Sequence, residues 1–261
     1  NMPAEFEMLI HLVIFVSLGL VSWKLSKRMA LAEYSASDPR ALDVGFAVLS
    51  LAFIACYNAL IQPLISAVIH APAVSAGILS DIGAMPLALR WVCFFLLADF
   101  LGYWFHRWLH SAYLWRFHSF HHSPTKVNWL SGLRATPIHL LIVLSPAAIA
   151  GAVFLTEFGT WPMWAFVTFD ILNQHFCHSS IRLPKVQHLE RILVTPRMHF
   201  VHHNPDPRYT NSNYGLYLSV WDHLFNTYVD AEKIETKGQL GLDYQESHLS
   251  LLLGLNKRQS S

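Results

Sequence analysis

The chain has 261 residues, of which 53% are hydrophobic and only 13% charged. Soluble domains carry about 25% charged residues, so this composition, with a mean hydropathy of +0.34, argues against an ordinary soluble globule and for a membrane protein. A net charge of +1 gives no reason to expect nucleic acid as a partner, and three scattered cysteines, Cys56, Cys93 and Cys177, supply neither a disulfide framework nor a cysteine-based zinc site.

The first apolar run, residues 8–23, approaches the ~20 residues a helix needs to cross the hydrocarbon core, and it ends in Lys24, Lys27 and Arg28. It has no small-residue cleavage site and reads as a span, not a signal peptide. Residues 44–69 form a second span with a kink expected at Pro63. The stretch 70–85 is rich in Ala, Gly, Ser and Pro and has no Lys or Arg. Residues 87–105 form a third span that runs straight into a histidine cluster. Residues 138–155 and 161–176, joined by a short turn at 156–160, read as a helical hairpin.

The expected fold is therefore an all-α integral membrane protein of about four to five transmembrane helices, with the transmembrane core at about 6–176. With five spans and the N-terminus outside, every Lys and Arg except Arg90 falls on one side, and the positive-inside rule places that side in the cytoplasm. From Arg182 onward the chain is polar enough for a cytosolic cap, with a loop marked by Gly, Pro and Asn at 204–215. The tail, 229–261, holds a weakly amphipathic stretch at 249–255 expected to lie on the bilayer surface. We read residues 1–261 as a single domain, with the histidine-rich region at 99–228.

Histidines carry the chemistry. His106 and His110 are followed by His118, His121 and His122; His175 and His178 are followed by His199, His202 and His203. The pattern His-x-x-His-His thus occurs twice, and on a helix such spacings put the rings of each group on one face. Isolated histidines such as His11, His70, His188, His223 and His248 are ordinary packing or interfacial residues. Clustered imidazoles on an apolar scaffold need partners, either a metal or a hydrogen-bonded network. Nine or ten ligands exceed the capacity of one ion, so two ions are implied. Imidazole alone does not choose the metal, but no His-Glu-x-x-His box with a glutamate base occurs, which favours a redox-active pair over a zinc hydrolase. Asp99, seven residues before His106, is the expected hydrogen-bond partner of a ligand ring, and Asp170 suits that role less well.

The succession DFLGYWFHRWLH, WRFHSFHHSP, TPRMHFVHH and NSNYGLYLSVWDHLFNTY, spanning residues from about 90 to 228, resembles the fatty acid hydroxylase/sterol desaturase superfamily of membrane di-iron oxygenases. The resemblance implies a cytosol-facing helical cap holding two iron ions that use O2 to attack an unactivated C–H bond of a lipid. It implies as ligands His106, His110, His118, His121, His122, His178, His199, His202 and His203. His175 joins them at a spacing one residue shorter than is common in the family. Many members read His-Pro-hydrophobic-Glu where this chain has Thr136-Pro137-Ile138-His139, and His139 is left out of the ligand set. Asn213 and Asp222 fall on motif positions that support the cap. Zinc in a purified sample is compatible with iron as the working metal, because it binds imidazole sites more tightly than ferrous iron.

The expected substrate is a membrane lipid, fatty acyl or related, reaching the site from the bilayer near Trp104, Phe105, Trp108 and Trp129, although each of these aromatics also fits an interfacial belt. No cytochrome-like haem motif, flavin motif or Gly-rich nucleotide motif is present. Electrons must then come from a separate reductase, ferredoxin or cytochrome, docking on the basic surface around Arg107, Arg116, Lys126 and Arg208. A bacterial inner-membrane location is expected. Two alternatives compete with hydroxylation: desaturation of a sterol-like or carotenoid lipid, and a non-catalytic membrane metal or electron carrier. A carrier predicts ligands at the bilayer midplane, whereas these lie at span ends.

Overall fold

The computed structural model describes residues 4–29, 31, 37–71, 78–155, 160–183 and 185–256, with side chains described except at 4–8, 11, 78, 80 and 160–165. The expected turn at 156–160, residues 72–77 of the 70–85 stretch, the end of the tail and the side chain of His11 therefore lie wholly or partly outside the described residues.

The membrane part consists of α1 (Ala4–Arg28), α2 (Ala41–Cys56), α3 (Gln62–Ile69), the short α4 (Ile78–Gly83), α5 (Leu87–Leu109), α7 (Pro137–Phe154) and α8 (Thr160–Cys177), with α6 (Trp115–His122) between α5 and α7. Three helical stretches are long and apolar enough to cross a bilayer: Ala41–Ile69 with 29 residues, Leu87–Leu109 with 23 and Pro137–Phe154 with 18. Their outward faces carry exposed Val48, Leu60, Leu64, Val68, Val92 and Leu141. Apolar surface on this scale fits lipid contact better than water.

Pro63 does not simply kink the second span. Its ring displaces the helical register, and the chain absorbs this as a π-helical turn at Tyr57–Ile61. The facing α7 carries Pro146 in its interior and runs through it as a continuous α-helix. There Ser145 Oγ donates to the Leu141 carbonyl at 2.6 Å, and Tyr57 Oη lies 3.2 Å from Ser145 Oγ. The two hydroxyls thus find polar partners inside the apolar layer, where buried polar groups need them.

Helix α5 packs on α7 through Phe94, Ala98, Ala150 and Leu155. Arg90, the residue that breaks the charge asymmetry, is buried and donates from Nε to the Phe154 carbonyl at 3.0 Å. It caps the C-terminal end of α7, where a cation and a donor are both favourable. Helix α1 lies on α8, and its end is tied to the segment after His178 by Leu31 N–H to the Ser180 carbonyl and Arg182 N–H to the Met29 carbonyl.

The C-terminal part is a set of short helices, α9 (Pro196–His202), α10 (Pro207–Thr210), α11 (Val220–Leu224) and α12 (His248–Leu252). Among the described residues there is no β-strand, only isolated bridge positions such as the pair Leu193 and Leu218. Thr195 caps α9 by accepting from Met198 N–H, with Pro196 pre-set for the first turn. Below it sits Glu190, 1% exposed, which accepts from Thr195 Oγ1, Arg197 Nε and Nη2, and Tyr228 Oη. Helix α12 buries Leu251 and exposes Leu249 and Leu253, and beyond it Asn256 donates to Ser119 Oγ at 3.0 Å.

Removing one partner of a buried ion pair costs about 3–5 kcal/mol, whereas replacing both by apolar residues is often neutral. Arg197 keeps Glu232 and Asp230 when Glu190 is lost, so Glu190→Leu should destabilise by the lower end of that range. Chemical denaturation in detergent checks this, and Glu190→Leu/Arg197→Met should recover part of the loss.

Candidate metal centre

The last turn of α5 supplies His106, and the residue after it, His110, follows one helical turn later. Helix α6 supplies His118, His121 and His122; α9 supplies His199 and His202, with His203 directly after it; His178 follows the end of α8. These nine rings converge in two groups, His106/His110/His118/His122/His202 and His121/His178/His199/His203, with the ligand atoms in each group within 4.8 Å of one another. All nine are buried.

Each His-x-x-His-His box is divided between the groups. His118 and His122, one helical turn apart, belong to the five-membered group, while His121 turns to the other. His199 and His203 belong to the four-membered group, while His202 crosses to the first. The groups adjoin, since the His122 and His203 rings stack with centroids 4.4 Å apart.

The far edges of the rings show which nitrogens face inward. His106 Nδ1 lies 2.9 Å from the Tyr214 carbonyl, His202 Nδ1 2.8 Å from the Ser212 carbonyl, His178 Nδ1 2.9 Å from the Gln174 carbonyl and His110 Nδ1 3.3 Å from Asn211 Oδ1. An oxygen of this kind only accepts, so each Nδ1 carries the proton and each Nε2 presents a lone pair to the interior. Those lone pairs crowd together: Nε2 atoms lie 3.2 Å apart for His106 and His118, 3.1 Å for His118 and His122, and 3.0 Å for His178 and His199. His202 Nε2, also buried, has no hydrogen-bond partner among the described residues. Burial, reinforced by neighbouring imidazoles, pushes His110, His118, His121, His122, His199, His202 and His203 well below the usual imidazole range and lowers His178 to about 4. Neutral rings with converging lone pairs fit metal cations, and imidazole suits iron as well as zinc.

Three expectations change. His175 belongs to neither group: its Nδ1 lies 3.0 Å from the Trp129 carbonyl and its Nε2 3.0 Å from the Phe15 carbonyl, so it ties α8 to α1. Asp99 touches no histidine. It accepts from Tyr217 N–H, Leu218 N–H and Trp221 Nε1–H, and so anchors the cap loop to α5. Asp170 likewise accepts from Tyr217 Oη at 2.6 Å and from no ligand. The partners that hold the ligand rings are backbone carbonyls and one Asn side chain, which sequence signals do not mark individually.

Asn213 and Asp222 sit where a supporting role requires. Asn213, at φ 52°, donates to the Met198 and Val229 carbonyls and accepts from Val229 N–H. Asp222 accepts from Tyr214 N–H, Gly215 N–H and Thr227 Oγ1, and burial pushes its carboxyl above the usual range. A Cβ on Gly215 would stand 2.7 Å from the Leu218 carbonyl. Only glycine permits this close turn, and the turn aims the Ser212 and Tyr214 carbonyls at His202 and His106.

The remaining histidine, His139, begins α7 and places Nδ1 3.2 Å from His118 Nδ1. It also lines a cavity of about 150 Å3 that runs from His106, His118, His121, His178 and His199 to apolar Ile54, Leu133, Leu140, Val143 and Leu144. Asp170, Asn173, Gln174 and Tyr217 line the same cavity.

Several known proteins are similar to this chain. The chain is 33% identical over 156 residues to an alkylglycerol monooxygenase from Xenopus tropicalis, covering 55% of this chain and 32% of that protein. It is 33% identical over 151 residues to the ornithine lipid hydroxylase OlsE from Rhizobium tropici, covering 55% and 43%. It is 27% identical over 143 residues to a very-long-chain aldehyde decarbonylase from Oryza sativa subsp. indica, covering 49% and 22%. The similarity thus spans less than half the length of each of these relatives. No solved structure matches the chain. The fatty acid hydroxylase family model matches residues 91–227, just over half of the sequence and every one of the nine converging histidines, and the chain belongs to that family.

Proposed function

We propose that the chain is a membrane-bound di-iron oxygenase that uses O2 to hydroxylate an unactivated C–H bond of a lipid, fatty acyl or related. The observation that carries this reading is the pair of adjoining groups of five and four buried imidazoles, joined by no carboxylate or thiol among the described residues and opening onto a cavity with an apolar wall. The monooxygenase and hydroxylase among its relatives are named for the same class of chemistry on lipids. Two iron ions, when bound, supply the activation of O2 and the oxidising power for C–H cleavage. The protein's own contribution is placement. His106, His110, His118, His122 and His202 would hold one ion, and His121, His178, His199 and His203 the other. The Tyr214, Ser212 and Gln174 carbonyls and Asn211 Oδ1 keep four of these rings aimed inward. Ile54, Leu133, Leu140, Val143 and Leu144 hold the alkyl segment and exclude water.

The reaction consumes R–H, O2, two electrons and two protons, and yields R–OH and water. Its electrons come, on this reading, from a separate reductase, ferredoxin or cytochrome. We add α1 and α8 as spans to the three apolar stretches, giving five. The histidine face then lies on the cytoplasmic side of a bacterial inner membrane, the side that the Lys/Arg asymmetry selects.

Protein made in iron-rich, zinc-poor medium should contain about two iron ions per chain by elemental analysis; one or fewer would overturn the dinuclear reading. His122→Ala and His202→Ala should each lower the metal content and abolish turnover, whereas His188→Ala, on the exposed surface, should leave both unchanged. The deciding assay combines a lipid extract, a reducing system and 18O2 and looks by mass spectrometry for a lipid product that gains one labelled oxygen. Product formed equally well without O2, or undiminished in both ligand variants, would refute the oxygenase.

Topology is tested separately, in a background with Cys56 and Cys93 changed to Ser. Asp81→Cys should be labelled by an impermeant thiol reagent from outside and Lys233→Cys only from the cytoplasmic side. Labelling of both from one side would overturn the orientation.

A further inference from the structure

We infer that His139 is a positioning residue for His118, accepting the proton of its outer ring nitrogen and so fixing which nitrogen His118 turns to the metal. This rests on the dinuclear reading above. Four of the nine converging rings have an oxygen acceptor behind them, but behind His118 stands another imidazole. His118 Nε2 faces His106 Nε2 and His122 Nε2 at 3.2 and 3.1 Å, while His118 Nδ1 lies 3.2 Å from His139 Nδ1. Two ring nitrogens at that distance share one proton between them. The crowded Nε2 of His118 needs its lone pair, so its proton sits on Nδ1 and donates to His139 Nδ1. His139 then carries its own proton on Nε2, and His118 is its one described side-chain hydrogen-bond partner.

The contact is braced by the backbone. Thr136 Oγ1 accepts from His139 N–H at 3.1 Å and donates to the Phe117 carbonyl at 2.8 Å. Phe117 immediately precedes His118, so one hydroxyl fixes the start of α7 against the helix that carries the second box. The His139 ring also packs on both groups at once, with centroids 4.6 Å from His118 and 5.1 Å from His121. Having no place in either convergent set, it supports the site from behind.

The test is metal release, read independently of turnover. Iron-loaded protein in detergent is mixed with a ferrous chelator under anaerobic conditions, and the release of each ion is followed by absorbance. Loss of a hydrogen-bond partner behind a metal-bound histidine typically costs 10–100-fold in metal affinity. His139→Leu should therefore release one of the two ions about 10–100-fold faster and the other within a few-fold of wild type. His139→Gln and His139→Glu, which keep an acceptor, should return the fast phase to within a few-fold of wild type. Unchanged release in His139→Leu would overturn the inference. Equal loss from Leu, Gln and Glu variants would overturn it too, since that pattern belongs to a direct ligand or a damaged fold. Wild-type protein that holds no iron pair would refute the underlying dinuclear reading and the inference with it. A wild-type pair unaffected by His139→Leu refutes the inference alone.

Discussion

Nine neutral imidazoles with their lone pairs turned toward one another are the constraint on which this structure depends. Bare Nε2 atoms 3.0 to 3.2 Å apart repel unless a cation or a shared proton lies between them. Protonation is opposed by burial, which holds these rings in the neutral form. The folded chain without metal is therefore frustrated at its centre, and the rest of the cap reads as apparatus for holding that centre in place. Carbonyls from the 212–214 loop fix His106 and His202, while Asp222 and Asn213 fix the loop. Glu190 fixes the helix that carries the last box.

The division of each His-x-x-His-His box gives this arrangement its cohesion. A helix that sent all its histidines to one ion could rotate or slide and take that ion with it. Here α6 and α9 each place a pair at one-turn spacing in one group and the remaining ring in the other. Displacing either helix would therefore disturb both groups. On the proposed function, binding of two ions would couple α5, α6, α9 and the end of α8, elements separated by up to about a hundred residues in sequence, into one cooperative unit.

Much of this was legible from the chain alone, because hydropathy and histidine spacing are carried by side chains. The apolar stretches at α2–α3, α5 and α7 appear where sequence places them, and the nine rings that converge are those read from the boxes. What stayed hidden belongs to the backbone and to tertiary partners. A helical repeat shows which rings share a face but not which ion they turn to, so the exchange between boxes could not be read. Carbonyl acceptors have no sequence signature. Asp99 was therefore assigned to a ring, when its three acceptor contacts hold the cap loop instead. His175 resembled a ligand because it lies three residues before His178, yet two carbonyls claim its ring. Arg90 broke the charge pattern for a local reason, the open end of α7. Pro63 announced an irregularity but not its form, a π-helical turn at Tyr57–Ile61.

The size of the cavity limits how a lipid can be used. About 150 Å3 lies below the ~300–1,000 Å3 typical of sites that enclose a drug-sized ligand. On the proposed function, only the reacting segment of an alkyl chain fits beside His106, His118 and His139, and the remainder must stay among the helices or in the bilayer. The apolar wall supports that division, since Ile54 of α2 shortly precedes the π-helical turn and Val143 and Leu144 of α7 shortly precede Pro146, all within the apolar spans. On the proposed function, an acyl chain that enters from the membrane would pass this wall. The opposite wall, with Asp170, Asn173, Gln174 and Tyr217, is polar and held by its own hydrogen bonds. Selectivity for what lies next to the attacked carbon would then come from this wall, while the apolar side contributes only length and fit.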